Sequence, residues 1–195
     1  MAKNKTSKIT KAKEAIESVD REVAEAAAPL RNSPLMKVVG TLSEAGDQPQ
    51  MRVLCAGVIG AGLLRGDHKL ARAGVRMLAA HSLATWAKTV IKHQVDRTRP
   101  KLLVEEGRYG LKAGHSHEKE QSSFPSGHTA GALAVAGAFA ADYPRYALPT
   151  WATGAAISLA QVPRCMHYPS DVGAGAVIGL ACAAVVNGLM PAMAD

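Results

Sequence analysis

The chain has 195 residues, a formal net charge of +7, 48% hydrophobic residues and only 4% aromatic ones. That length suits one domain. With no recognition motif and no basic-aromatic platform, the charge points away from nucleic acid and toward anionic lipid headgroups or phosphate. Three cysteines, Cys55, Cys165 and Cys182, fall in or near apolar stretches. An odd number without a Cys-x-x-Cys pair implies neither a disulfide framework nor a zinc site.

Lys3, Lys5, Lys8, Lys11 and Lys13 make a basic start, expected as a solvated tail near anionic lipid. It lacks the apolar core and small-residue site of a cleavable leader. Thr10 is expected to cap a helix over residues 10–28. Ala12, Ile16, Val19, Val23 and Ala27 recur there at helical spacing, with Glu14, Glu17, Glu22 and Glu25 elsewhere. This helix is amphipathic and too polar to span; it rests on a membrane or packs on a bundle. Ser33 followed by Pro34 caps a second, short helix that ends near Leu42.

Apolar helical segments follow at residues 51–64, 74–91, 129–141, 146–162 and 172–190. Only the last comfortably reaches the roughly 20 apolar residues of a membrane span. Abundant Ala and Gly let such helices approach closely. No strand-like alternation persists. The expectation is an all-α, multi-pass bundle of about five spans. Residues 1–48 form the basic tail and amphipathic helices, and residues 49–195 the helical domain. The polar stretch 92–124 is too long for a simple connection and is a candidate functional loop.

Three motifs bracket these segments. Lys92 is followed, after six residues, by Arg99 and Pro100. Pro125, Ser126, Gly127 and His128 start an Ala-Gly helix, with Ser126 as N-cap and free amides that form a phosphate cradle. His167 precedes Asp171 by four positions, which lets the carboxylate reach one imidazole nitrogen. A Lys point charge and a bidentate Arg suit a phosphoryl group, with Arg97 and Lys101 as nearby loop cations. Short hairpins bring the motifs to one membrane face. His115 and His117 beside Glu118 read as a solvated loop, and His81 as a hydrogen-bonding residue between helices.

Together the motifs resemble the signature of the type 2 phosphatidic acid phosphatase superfamily over roughly residues 40 to 190. The resemblance implies a membrane phosphatase acting on a lipid phosphomonoester or diphosphate: phosphatidic acid, phosphatidylglycerol phosphate or a polyprenyl phosphate. His167 is then the nucleophile forming a phosphohistidine, His128 the acid, and Asp171 the residue orienting His167. Lys92, Arg99, Ser126 and Gly127 bind phosphate, and no metal or cofactor is required. The family's Arg, six positions before the nucleophile, is replaced by Gln161; Arg164 is the candidate substitute. A bacterial inner-membrane location is expected. A catalytically weak lipid-phosphate binder and a soluble acid phosphatase are the alternatives.

Overall fold

The computed structural model describes residues 2–116 and 118–191, with the backbone alone at residues 2–7, 9 and 119. His117 lies outside the described residues. The helices are α1 (Ala2–Ala27), α2 (Pro34–Ser43), α3 (Gln48–Arg65), α4 (His68–Lys92), α5 (Pro100–Glu106), α6 (Gly127–Asp142), α7 (Ala147–Leu159) and α8 (Pro169–Leu189). The protein is therefore mostly helical, as the sequence indicates. One correction concerns the polar stretch. Strands β1 (Val95–Arg97) and β2 (Leu111–Ala113) pair antiparallel, with Arg97 opposite Leu111. Three residues are too few for alternation to register in a sequence.

Helix α6 is the axis of the bundle. Ala130, Ala132, Ala134, Ala136 and Ala138 are all buried, as befits a helix apolar on every side. Helices α4, α7 and α8 pack on it, and α3 packs on α4. The α6–α8 contact is backbone against backbone. A Cβ at Gly175 would sit 2.6 Å from the Ser126 carbonyl oxygen, and one at Gly179 would sit 2.5 Å from that of Ala130. The Ser126 amide also donates to the Asp171 carbonyl at 3.0 Å. Glycine thus places the starts of α6 and α8 side by side, and the second and third motifs with them.

Apolar residues also face outward: Val53, Leu54, Leu63, Leu64, Trp86, Leu148, Leu159, Val177 and Leu189 are exposed. Among the described residues, α8 is the one helix long and apolar enough to cross a bilayer. Its 21 residues extend about 32 Å, against a hydrocarbon core of about 30 Å. The 13 residues of α7 reach only about 20 Å.

A buried ionic cluster joins the N-terminal helix to this bundle. Arg97 donates to Asp171 Oδ1 at 2.5 Å, Ser170 Oγ at 2.8 Å, Asp20 Oδ2 at 2.7 Å and the Tyr109 hydroxyl at 3.3 Å. Its guanidinium stacks 4.2 Å from the Tyr168 ring centre. The Ser170 amide donates to Asp20 Oδ1 at 2.9 Å. Burial opposes the Arg97 charge, but Asp171, Asp20 and Tyr109 more than offset it. So α1 packs on the bundle through Asp20 and Ala24, while Ile16, Val19 and Val23 stay exposed.

Two outcomes follow from this packing. Gly175→Ala should destabilise by about 1–3 kcal/mol through overpacking, whereas Gly173→Ala, with open space at its Cβ, should be neutral. Thermal unfolding of both variants in one detergent checks the contrast. Arg97→Ala leaves two buried carboxylates uncompensated and should destabilise by about 3–5 kcal/mol. Arg97→Lys should not rescue it, because an ammonium lacks the planar fork that reaches Asp20 and Asp171 together. Equal melting temperatures for the Lys variant and the unaltered protein would contradict that account.

Candidate active site

Helices α3, α6 and α8 start, and α4 and α7 end, at the same end of the bundle. Lys92 closes α4 there, Gly127 and His128 open α6, and His167 lies just before Pro169. A cavity of about 230 Å³ forms between them. Lys92, Arg99, Gly127, His128, Arg164 and His167 line it, together with Glu44, Asp47, Lys88 and Met166. Six of the eight residues expected at the site are therefore brought together.

The imidazole of His167 is nearly buried, and its Nδ1 lies 2.7 Å from the Ser123 carbonyl oxygen. A carbonyl only accepts, so Nδ1 carries the proton and Nε2 keeps its lone pair in the neutral ring. Burial lowers the pKa of His167 below its ordinary value; Asp171 opposes that shift, while Arg99 and Lys92 add to it. The neutral form is thus favoured.

Asp171 is placed differently from the expectation. Its Oδ2 is 3.9 Å from His167 Nδ1, beyond hydrogen-bond range. That oxygen instead accepts from the Ser123 hydroxyl at 2.5 Å and the Tyr168 amide at 2.8 Å, and Oδ1 accepts from Arg97. The imidazole has one proton at Nδ1, and the nearer carbonyl takes it. Asp171 fixes the two segments that hold the ring, Ser123 on one side and Tyr168 on the other.

Ser126 also departs from its expected place. Its side chain is fully buried and accepts from the amide and hydroxyl of Thr129, at 3.4 and 3.0 Å. It caps α6 and does not line the cavity. The amides of Gly127 and His128 are the ones left by helix geometry to face an anion. Gly127 matters for space as well: a Cβ there would lie 3.4 Å from Lys88 Nζ.

The two candidates for the missing Arg separate cleanly. Gln161 is fully buried, donates to the Ile157 carbonyl at 2.9 Å and does not reach the cavity. Its backbone carbonyl accepts from the Met166 and His167 amides at 3.1 and 3.3 Å, closing the turn before His167. That turn contains Cys165 in the left-handed region, at φ 55°. The reversal puts Arg164 on the cavity wall, where it donates to Ser43 Oγ at 2.8 Å and Glu44 Oε1 at 3.1 Å.

Several residues at the cavity carried no role in the sequence reading. Lys88 lies one turn before Lys92 on α4, a spacing that puts both on one face. Asp47 precedes α3 without capping it, and its Oδ1 lies 2.9 Å from His128 Nε2, off the line of a hydrogen bond. Nothing in the sequence announces a contact between residues so far apart. Arg97, a loop cation on sequence grounds, belongs to the buried cluster. His81 is fully buried between helices, yet neither ring nitrogen has a protein partner, against the bond expected of it. His115 Nδ1 contacts the His93 carbonyl.

The model of the PAP2 superfamily matches residues 73–193. A lipid A 1-phosphatase from Rhizobium johnstonii is 33% identical over 90 residues, 46% of this chain and 36% of its own length. That of Rhizobium etli is 33% identical over 90 residues, 38% of its length. The match thus spans little more than a third of those relatives. Among solved structures, a transmembrane PAP2-type phosphatidylglycerolphosphate phosphatase from Bacillus subtilis superposes with TM-score 0.69 at 24% identity, covering 90% of this chain and 86% of that one. Aquifex aeolicus LpxE gives TM-score 0.59 at 20% identity, covering 86% and 93%. With the family model spanning more than half of the chain, and the three motifs meeting at one cavity in a fold shared with these phosphatases, the chain belongs to the PAP2 superfamily.

Proposed function

We propose that the protein is a membrane lipid phosphatase that hydrolyses a phosphomonoester or diphosphate through a phosphohistidine at His167. The observation that carries this reading is the Nδ1 hydrogen bond of His167 to Ser123, which leaves Nε2 nucleophilic in a cavity lined by Lys88, Lys92, Arg99 and Arg164. The relatives' activities, on lipid A and on phosphatidylglycerol phosphate, support a lipid phosphate as the substrate class. Phosphatidic acid and polyprenyl phosphates belong to the same class.

The reaction has two displacements. Nε2 of His167 attacks phosphorus, the ester P–O bond breaks, and His128 gives its proton to the leaving oxygen. Burial pushes the His128 pKa down to about 4; the Asp47 carboxylate opposes that shift and favours the charged ring needed for that step. His128 then takes a proton from water, whose oxygen attacks phosphorus, and the P–N bond returns its electron pair to His167. Lys88, Lys92, Arg99, Arg164 and the first amides of α6 stabilise the charge on the equatorial oxygens. The residues that carry charge stabilisation are all side chains or amides of the chain itself.

The outward leucines and valines of the bundle support a bilayer setting, with α3, α4, α6, α7 and α8 as five spans and the shorter helices completed by their flanking turns. Because the cavity lies where α3 starts, α1, α2 and the cavity share one face. The helical domain then begins near residue 49, and the helices before it lie at the interface of a bacterial inner membrane.

Hydrolysis of matched lipid phosphates in detergent, with chelator present, tests this function. His167→Ala should abolish turnover and covalent labelling by phosphate, and His128→Ala should slow turnover most for poor leaving groups. A His167 variant that still takes up label would refute the assignment. Because burial lowers the pKa of both the His167 nucleophile and the His128 acid, kcat/KM should rise as pH falls through 6.5 and turn over only at lower pH. An acid limb above that value would contradict a neutral buried nucleophile.

Arg164→Ala should lower kcat/KM by about 10²–10³-fold, the effect of removing one donor from a transition-state oxyanion. Gln161→Arg should bring no gain, since it places a charge in the core. Faster turnover in the Gln161 variant would mean that this position does reach the phosphate.

A further inference from the structure

Beneath the reaction cavity lies a third histidine that the chemistry has not used. His81, on α4, is fully buried, and neither ring nitrogen bonds to the protein. A buried polar group calls for a partner, and an ionisable one inside a membrane bundle marks a functional position by default. Its neighbours are informative. A Cβ at Gly131 of α6 would lie 3.3 Å from His81 Nε2 and 4.0 Å from the Gly46 carbonyl oxygen. A Cβ at Gly127 would lie 3.4 Å from Lys88 Nζ. Glycine thus makes room for an imidazole at one turn of α6 and for an ammonium at the turn before it. The two Cβ positions, four residues apart on a helix, are separated by about 6 Å. His81 and Lys88 are two turns apart on one face of α4, and both reach α6 from that side. The Lys88 side chain leans toward the helix N-terminus, and so toward His81. Nε2 and Nζ are then roughly 6 Å apart. That is too far for a direct hydrogen bond and fits one water at about 2.9 Å from each.

We propose that His81 is a positioning residue of the reaction site, which acts on Lys88 through one buried water. The inference rests on the reading of Lys88 as a phosphate-binding cation of that site. The water accepts from Lys88 Nζ and donates to His81 Nε2 and to the Gly46 carbonyl, whose two lone pairs allow it. Three bonds are the usual complement of a buried water. Lys88 has no carboxylate to itself, since Glu44 and Asp47 engage Arg164 and His128. The water therefore supplies what an ion pair would: it occupies one of the three ammonium protons and ties a flexible side chain to the backbone turn before α3. The other two protons stay available to phosphate. His81 touches neither substrate nor reacting atoms.

The test uses the full chain in detergent with phosphatidylglycerol phosphate as substrate. His81→Leu removes the acceptor at similar bulk, and His81→Gln keeps an acceptor with the reach of Nε2. His81→Leu should lower kcat roughly tenfold, about the worth of one hydrogen bond, with KM changed less than about twofold, because Lys88 acts on charge that grows in the transition state. His81→Gln should recover most of the loss. In a Lys88→Met background, itself slow, His81→Leu should cost less than about twofold more. A histidine that only packs gives independent losses in the double variant and no difference between Leu and Gln; either result overturns the proposal, as does full activity in His81→Leu. Should the Leu variant not fold, His81→Asn, polar but too short to reach the same point, takes its place with the same expectations. Should the unaltered chain hydrolyse no lipid phosphate, the lipid-phosphatase reading falls, and the same set of variants is read from the Kd for orthovanadate, a phosphate mimic. Weakening by His81→Leu that disappears in the Lys88→Met background supports the bridge. Independent effects, no effect, or no vanadate binding by the unaltered chain overturn it.

Discussion

The site depends on a single buried guanidinium. Arg97 holds Asp171 and Asp20 at once, and neither carboxylate has water to fall back on. A buried ion pair contributes little net stability, since desolvation offsets most of the attraction, but removing one member is severe. What the cluster secures is geometry. Asp171 is held by Arg97 and in turn holds the Ser123 hydroxyl and the Tyr168 amide. Those two anchors bracket His167, and the Ser123 carbonyl sets its tautomer. The charge that seems closest to the chemistry in sequence thus works one layer behind it.

With Arg97 committed to the scaffold, the positive charge at the cavity comes from elsewhere. Lys88, Lys92, Arg99 and Arg164 arrive from three separate parts of the chain and face one another across a small volume. Burial and like charge both oppose that arrangement; for Arg99 burial is the larger effect, with Asp171, Asp47 and Glu120 in partial compensation. Glu44 and Asp47 relieve it by engaging Arg164 and His128. A phosphate entering the cavity brings more charge than either carboxylate, and it competes with them for the same donors. Four cations against two carboxylates leave the cavity wall with a positive surplus.

Much of this was legible in the sequence, for identifiable reasons. The Pro-Ser-Gly-His start of α6 shows itself through local capping chemistry, and the apolar segments through their composition. Lys92, Arg99, His128 and His167 are found by spacing between those segments. Residues whose roles arise from long-range contact were not legible. Asp47 meets His128 and Asp20 meets Arg97 only because α1 to α3 fold over the end of the bundle. The sequence alone leaves Gln161 and Arg164 undistinguished for a related reason. Spacing from His167 measures chain length, and the left-handed turn at Cys165 makes chain length a poor guide to direction.

The first 48 residues take on a meaning that their composition alone conceals. An amphipathic helix with a basic start reads as a membrane-surface element, and the exposed Ile16, Val19 and Val23 fit that reading. Yet the same segment buries Asp20 in the ionic cluster and supplies Glu44 and Asp47 to the cavity. Asp20 lies on α1, whereas Glu44 and Asp47 follow α2, so successive parts of this segment anchor Arg97 and line the cavity. The back wall of the cavity, through Asp171 and Arg97, is thus anchored to α1.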